Sequence, residues 1–321
     1  MNNESLRPSQ IIIGFDGGNK LAKTPNSFFH AGISSLAAKP AAGLHDEMDL
    51  LRINGQLFCV SGERLKYERD KSINDNYLYL TLIGIAKELR ARGMSPVQEI
   101  VLAAGLPPGH MATEALSQSL RDYYLRNGGV YRYQCGDVSH QISIRDVIVC
   151  PQAYSIFLTL PKDLITQPNI HIVDCGGETV DDVELINGRP SHDMLSLDMG
   201  LIPLYSNIQK HMLNRFGRKI TEQQIDDIIV GRATLFKQEH IDLVHERADA
   251  HVKNIFGTFR ETGTDWLSSY IVFCGGGSIL LSEYIRRNAE KLTGAYTIID
   301  DICANAKGFE VFARVTLRNR K

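Results

Sequence analysis

Ile170-His171-Ile172-Val173-Asp174-Cys175-Gly176-Gly177 repeats a pattern that stands near the start of the chain, Ile11-Ile12-Ile13-Gly14-Phe15-Asp16-Gly17-Gly18. In both, a run of β-branched and other apolar residues of the kind enriched in strands delivers an aspartate. A glycine follows two positions later, Gly18 in one copy and Gly176 in the other. The interval is far too long for a solenoid repeat, so the chain reads as two related halves, each opening with a strand and an Asp-x-Gly turn.

Outward from each copy the chain reads as more strand, then helix. In the second half, residues 180–186 lead into Asn187-Gly188, a strong two-residue hairpin signal, and on to 190–197. In the first half, 28–36 and 52–60 are strand candidates, the latter turning at Asn54-Gly55. Residues 75–92 read as a helix with Leu78, Leu82, Ile85, Ala86 and Leu89 on one face and Gly93 as its stop. A strand is expected over 99–105, a helix over 111–126, and a buried strand ending at Pro151. Further helices are expected over 202–216, closed by Gly217, over 221–230, where Thr221 and Gln224 form a capping box, and over 237–261, with a possible kink. Strand 270–274, helix 278–291, strand 296–300 and helix 304–316 complete the chain. This alternation predicts an α/β fold with duplicated sheets.

The chain has 321 residues, enough for two domains, with 43% hydrophobic and 22% charged residues, which excludes wholesale disorder. A net charge of −2 leaves no broad basic field for holding nucleic acid directly. Residues 1–10 are polar, unlike a signal peptide, and the most apolar stretch, 147–160, is broken by Pro151 and Gln152, so neither secretion nor a membrane partner is expected. The six cysteines form no C-x-x-C pair, and His245-Glu246 is followed by a histidine only at His251, too late for a zinc helix. A reducing cytoplasm fits this cysteine usage best.

An aspartate at a strand end followed by glycines suits a phosphate-binding hairpin. Glycine lets backbone amides approach a phosphate closely, and the acid, which phosphate repels, suits Mg²⁺ or magnesium-bound water. Lys20 and Lys23 follow the first turn, and either one could neutralise phosphate charge. An Asp-Gly turn that merely joins two strands is the commoner use of one such motif, but two copies heading two halves are harder to set aside. A third element, Ile271-Val272-Phe273-Cys274-Gly275-Gly276-Gly277-Ser278, runs from strand through glycines into helix, a junction that presents amides and a helix N-terminus to a ligand. It is neither a Walker A loop nor a G-x-G-x-x-G motif. A fourth, Val149-Cys150-Pro151-Gln152-Ala153, places an amide where a buried strand turns into helix.

In this order the elements resemble the actin/Hsp70/sugar-kinase superfamily over about residues 10–316, with Asp16-Gly17-Gly18 similar to its phosphate-1 motif and Pro151-Gln152-Ala153 to its first connecting segment. Asp174 to Asp181 is similar to phosphate-2 and Gly275-Gly276-Gly277-Ser278 to the adenosine motif. Ala304-Asn305-Ala306-Lys307-Gly308-Phe309 is similar to the second connecting helix as it occurs in plasmid-segregation actins of the ParM/StbA type. The resemblance implies an actin-like fold of two duplicated α/β domains with a nucleotide cleft between them. Domain I would cover 1–165 and take back 304–321, and domain II would cover 166–303. It also implies ATP or GTP with Mg²⁺, the metal organised by Asp16 and Asp174 and the attacking water oriented by Gln152. Nucleotide contacts would come from Gly17, Gly18, Asn19, Lys20, Lys23, Gly176, Gly177, Glu178, Thr179, Gly275, Gly276, Gly277 and Ser278, although the superfamily commonly has a small hydroxyl or glycine where Glu178 stands. The implied activity is nucleotide hydrolysis coupled to self-association into filaments for plasmid segregation, with DNA reached through a separate DNA-binding adaptor protein. A sugar-type kinase on the same fold is the alternative, but it needs an acid as base for the substrate hydroxyl, and an amide at Gln152 is a poor proton acceptor. A chaperone of the Hsp70 type, with a peptide-binding domain beyond the last helix, is not expected, and a nucleotide-binding scaffold without turnover sits poorly with Gln152.

Overall fold

The structure is a computed structural model that describes residues 11–40, 47–66, 68, 70–111, 114–232, 234–264, 266–290 and 294–320. The polar segment 1–10, positions 112–113 of the helix expected over 111–126, and the end of the helix expected over 278–291 lie outside the described residues. The chain divides into two compact units, one running to Thr159 and resuming at Asn305, the other spanning Leu160–Ala304.

The first unit opens with β1 (Ile11–Gly17), β2 (Leu21–Thr24), β3 (Ser27–His30) and β4 (Ile33–Leu36). The run expected as one strand over 28–36 is thus two, because at Ala31 and Gly32 the backbone leaves the ladder. Ala31 N–H bonds to Lys20 O, and the Ala31 and Gly32 carbonyls accept from Leu65 and Ser61. Next come β5 (Leu50–Ile53) and β6 (Gln56–Val60), joined by the anticipated Asn54-Gly55 turn, and α1 (Asn76–Ala91). Helix α1 buries more than one face: Leu80 and Ile83 are as inaccessible as Leu82 and Ile85, so it lies between packed layers rather than on the surface. Then follow β7 (Val97–Leu106), α2 (Pro108–Met111), α3 (Glu114–Leu125), β8 (Val130–Cys135), β9 (Val138–Pro151) and α4 (Tyr154–Phe157).

The second unit holds α5 (Lys162–Ile165), β10 (Asn169–Cys175), β11 (Val180–Ile186), β12 (Arg189–Leu197), α6 (Leu201–Phe216), α7 (Glu222–Ile229) and α8 (Gln238–Glu261). It closes with β13 (Tyr270–Cys274), α9 (Gly275–Leu280), α10 (Ser282–Ala289) and β14 (Ala295–Ile298). The single helix expected from 278 is two helices that meet at Leu281, and α8 is one continuous helix. The chain then returns to the first unit as α11 (Ala304–Asn319).

The duplication read from sequence is present in the sheets. The second unit orders its strands β12-β11-β10-β13-β14, and the first begins its nine-stranded sheet in the same way, β3-β2-β1-β7-β9, before adding β8-β5-β6-β4. In both, the strand that carries the aspartate runs antiparallel to the next strand and parallel to the one after the crossover. Alternation along β1 sends Ile13 and Phe15 into the core shared with α1. Ile12 faces Phe309 and Ala313 of α11 on the other side. That helix lies so close to β1 that a Cβ on Gly14 would come within 2.0 Å of Ala306 O.

Candidate functional site

In the first unit, β1 ends on Asp16, only 1% exposed, with Lys23 opposite it in the hairpin register. Lys23 Nζ lies 2.8 Å from Asp16 Oδ2, and Gln152 Nε2 donates to Asp16 Oδ1 across 3.0 Å. A carboxylate only accepts, so the amide must turn its nitrogen toward Asp16, which leaves the acceptor Oε1 on its other side. An acceptor in that position can take one O–H of a water and so set the direction of the water's lone pair. Lys20 sits on the turn, partly buried, with its carbonyl accepting Ala31 N–H at 3.0 Å.

The turn between β1 and β2 is also held by two residues that the sequence did not single out. Lys71 Nζ donates to Gly17 O at 2.6 Å and lies 5.3 Å from the centre of the Tyr77 ring. Tyr77 OH donates to Asn19 Oδ1 at 3.0 Å. Burial drives the Lys71 pKa below its ordinary value, Asp16 pulls it back up, and Lys23 pushes it down. Three lysines therefore stand on or beside this hairpin, as suits a polyanion. Lys71 lies in a polar stretch with no periodicity, and nothing in its spacing ties it to Gly17.

The second unit builds its hairpin differently. Asp174, 6% exposed, is paired in register with Asp181, so a carboxyl occupies the position that Lys23 holds in the first copy. Burial raises the Asp181 pKa to about 6, against hydrogen bonds from Ser196 and Thr179. Thr179, expected among the nucleotide contacts, directs its hydroxyl to Asp181 Oδ2 at 3.0 Å. The carbonyls of Gly176, Gly177 and Glu178 accept the N–H groups of Leu201, Ile202 and Gly200, so the loop caps the start of α6. His251 on α8 bonds Met199 O through Nε2 at 2.9 Å and fixes the segment just before that cap.

The glycine turn after β13 packs against the same strand end. Gly275 has a φ of 84°, and a Cβ there would meet Asp174 Oδ1 at 2.2 Å. A Cβ on Gly276 would make only ordinary van der Waals contact, with Ile302 Cδ1 at 3.8 Å, while Ser278 is fully buried inside the unit. The structure thus gathers Asp16, Gly17, Gly18, Asn19, Lys20, Lys23 and Gln152 around one hairpin. It gathers Asp174, Gly176, Gly177, Glu178, Thr179, Gly275, Gly276 and Gly277 around the other.

Two such hairpins, each in the same five-strand order, define the actin-like fold. Residues 172–287, all within the second unit, match the family described as archaeal actin homologue MreB-like, C-terminal. Among solved structures, the chain is similar to the archaeal actin homologue Ta0583 at 19% identity and a TM-score of 0.74, over 95% of this chain and 100% of that one. It is similar to Bacillus thuringiensis ParM with ATP at 15% identity and a TM-score of 0.67, over 97% and 100% of the two chains. A 15-stranded ParM filament from Clostridium botulinum is similar at 18% identity and a TM-score of 0.67, over 96% and 100%. No curated protein matches the sequence. Among the described residues no helix is long and apolar enough to cross a membrane.

Proposed function

We infer that this chain is a nucleotide-dependent, polymerising actin-like protein that binds and hydrolyses ATP or GTP. The carrying observation is the Gln152 amide set on the Asp16 carboxylate at the end of a lysine-flanked hairpin. The first hairpin supplies Lys20 and Lys23 and the amides of Gly17, Gly18 and Asn19 for phosphate, and the second supplies those of Gly177, Glu178 and Thr179, while Gly176, whose own N–H closes the turn on Thr179 O at 2.8 Å, adds no side chain to keep the phosphate away. Gly275, Gly276 and Gly277 lie along the rest of the nucleotide, with Ser278 next to them and its side chain buried. In hydrolysis, Gln152 Oε1 accepts one O–H of the attacking water. The water oxygen adds to the γ-phosphorus as its bond to the oxygen bridging to the β-phosphate breaks; that electron pair leaves with nucleoside diphosphate, and the water's proton passes to a phosphate oxygen.

Magnesium suits this donor set. Among the described residues no group of three or more His, Cys, Asp or Glu could form a protein cage, whereas Mg²⁺ keeps most of its waters and needs one or two carboxylates beside phosphate. Asp16 and Asp174 would hold it through water, and when bound it neutralises charge on the phosphate oxygens. A ParM with ATP and a ParM filament among the similar structures support nucleotide binding and self-association here. Plasmid segregation through a DNA-binding adaptor accords with the near-neutral charge of the chain. A kinase is less well supported, because Gln152 has no basic atom to take a proton from an alcohol.

The test records phosphate release and light scattering on one sample of Gln152→Ala with magnesium and nucleotide. Nucleotide affinity and assembly are expected to persist, while phosphate release slows about ten- to a hundredfold, or ~1.4–2.7 kcal/mol of barrier, and polymers outlast those of the parent protein. Unchanged phosphate release removes Gln152 from the chemistry. Phosphorylation of a small alcohol without any scattering would favour the kinase.

A further inference from the structure

The backbone that carries Gln152 is held in a strained turn. Gln152 N–H donates to Leu106 O at 2.9 Å, and its own carbonyl accepts Tyr154 N–H at 2.6 Å. The second bond closes a three-residue γ-turn on Ala153, whose φ of 58° and ψ of −61° belong to the rarer and more strained γ-turn type. A residue with a side chain stays in that region only where its surroundings over-determine it. Here the restraint is visible. Ala153 N–H donates to Asn305 Oδ1 at 3.1 Å, from the first turn of α11, and both residues are buried. Ser155 Oγ holds Pro151 O at 2.7 Å on the other side of Gln152. Helix α11 is itself keyed to β1, where Glu310 accepts Gly14 N–H at 3.1 Å, two residues before Asp16.

A proline followed by an ordinary helix start would satisfy the local sequence without strain. It would also put Gln152 on the first turn of that helix, with its side chain on another course. We propose that Asn305 is a positioning residue for hydrolysis: by holding Ala153 in the γ-turn it keeps the Gln152 amide on Asp16, ready for water before nucleotide arrives. The proposal rests on the reading of Gln152 as the residue that orients water. Asn305 would act through the Ala153 backbone rather than on the reacting groups.

The test measures fluorescent-nucleotide affinity and phosphate release at saturating nucleotide for Asn305→Ala, Gln152→Ala and the double variant. Asn305→Ala is expected to slow release about tenfold with affinity within about twofold, because the lost function is orientation rather than binding. The double variant is expected to be no slower than Gln152→Ala alone, since both changes remove one function. Asn305→Asp keeps an oxygen for Ala153 N–H and is expected to recover most of the rate. Should Asn305→Ala not fold, Ala153→Gly serves instead. Glycine adopts this φ without strain but admits other conformations, so release should slow about threefold with no loss of melting temperature. Wild-type release in Asn305→Ala, an equal loss of affinity, or additive losses in the double variant overturn the proposal, as does a wild-type rate in Ala153→Gly when it stands in. Wild-type release in Gln152→Ala is a distinct result, and it overturns the parent reading together with this one.

Discussion

At the residue scale the two copies of the hairpin differ most where they match best. Position seven after the aspartate is Lys23 in one and Asp181 in the other, so one acid is neutralised and the other stands beside a second, buried carboxyl. Asp16, Asp174 and Gln152 were legible because strand ends, glycines and a proline mark their places locally. Lys71 was not, since a lysine in a polar stretch announces no partner. The glycine turn separates packing from ligand contact at neighbouring positions. Gly275 is required by its own backbone and by Asp174, whereas Gly276 has room for a side chain in the folded protein. Gly276→Val is therefore expected to keep its circular-dichroism spectrum and melting temperature nearly unchanged, since valine ranks above glycine in helix propensity, and to lose nucleotide binding. Wild-type affinity in a nucleotide titration would remove this turn from the site.

At the scale of elements, α1 joins the first hairpin to the returning helix through one buried acid. Glu88 accepts from Asn26 N at 3.0 Å, from Asn26 Nδ2 at 2.6 Å and from Arg92 Nε at 2.6 Å. Arg92 also donates to Ile12 O at 3.1 Å and pairs with Glu310 on α11. Burial alone would raise the Glu88 pKa, but hydrogen bonds from Thr24, Arg92 and Asn26 outweigh it and hold the carboxyl below its ordinary 4.5. A folded-state value below the unfolded one means stability that is present above pH 4.5 and lost as pH falls through the folded value. Glu88→Gln is expected to cost about 3–5 kcal/mol in urea unfolding at pH 7, with the gap from the parent protein narrowing below pH 4.5. A gap that stays constant with pH would show that the charge of Glu88 carries none of it. Most elements were legible from periodicity and caps, including the Thr221 capping box and the Gly217 helix stop. The β8–β9 hairpin was not. Arg132, Gln134, Ser139 and Gln141 interleave with its buried residues, and only the apolar end of β9 was read as strand.

At the scale of the whole molecule, the chain crosses out of its first unit and returns to it in α11, where Phe309 closes an apolar cluster with Ile12, Val101, Ala103, Ile148 and Cys150. The one tryptophan, Trp266, is buried in the other unit against Phe256, Phe259 and Phe273. Phe309→Ala is expected to destabilise the first unit by about 3–5 kcal/mol. Its transition, followed by far-ultraviolet circular dichroism, should then move to lower urea while that of Trp266 fluorescence stays in place. Coincident shifts would mean that the two units unfold as one. By itself the sequence determined the repeated strand, aspartate and glycine turn, the alternation of strand and helix, and the actin-like fold they imply. Hydrophobic periodicity and turn chemistry act over a few residues and can be read there. Only the tertiary structure decided that Lys71 grips a carbonyl 54 residues away and that Asn305 holds a turn 152 residues before it. Those partners are chosen by how packed layers bring distant backbone together, and no local pattern encodes that choice.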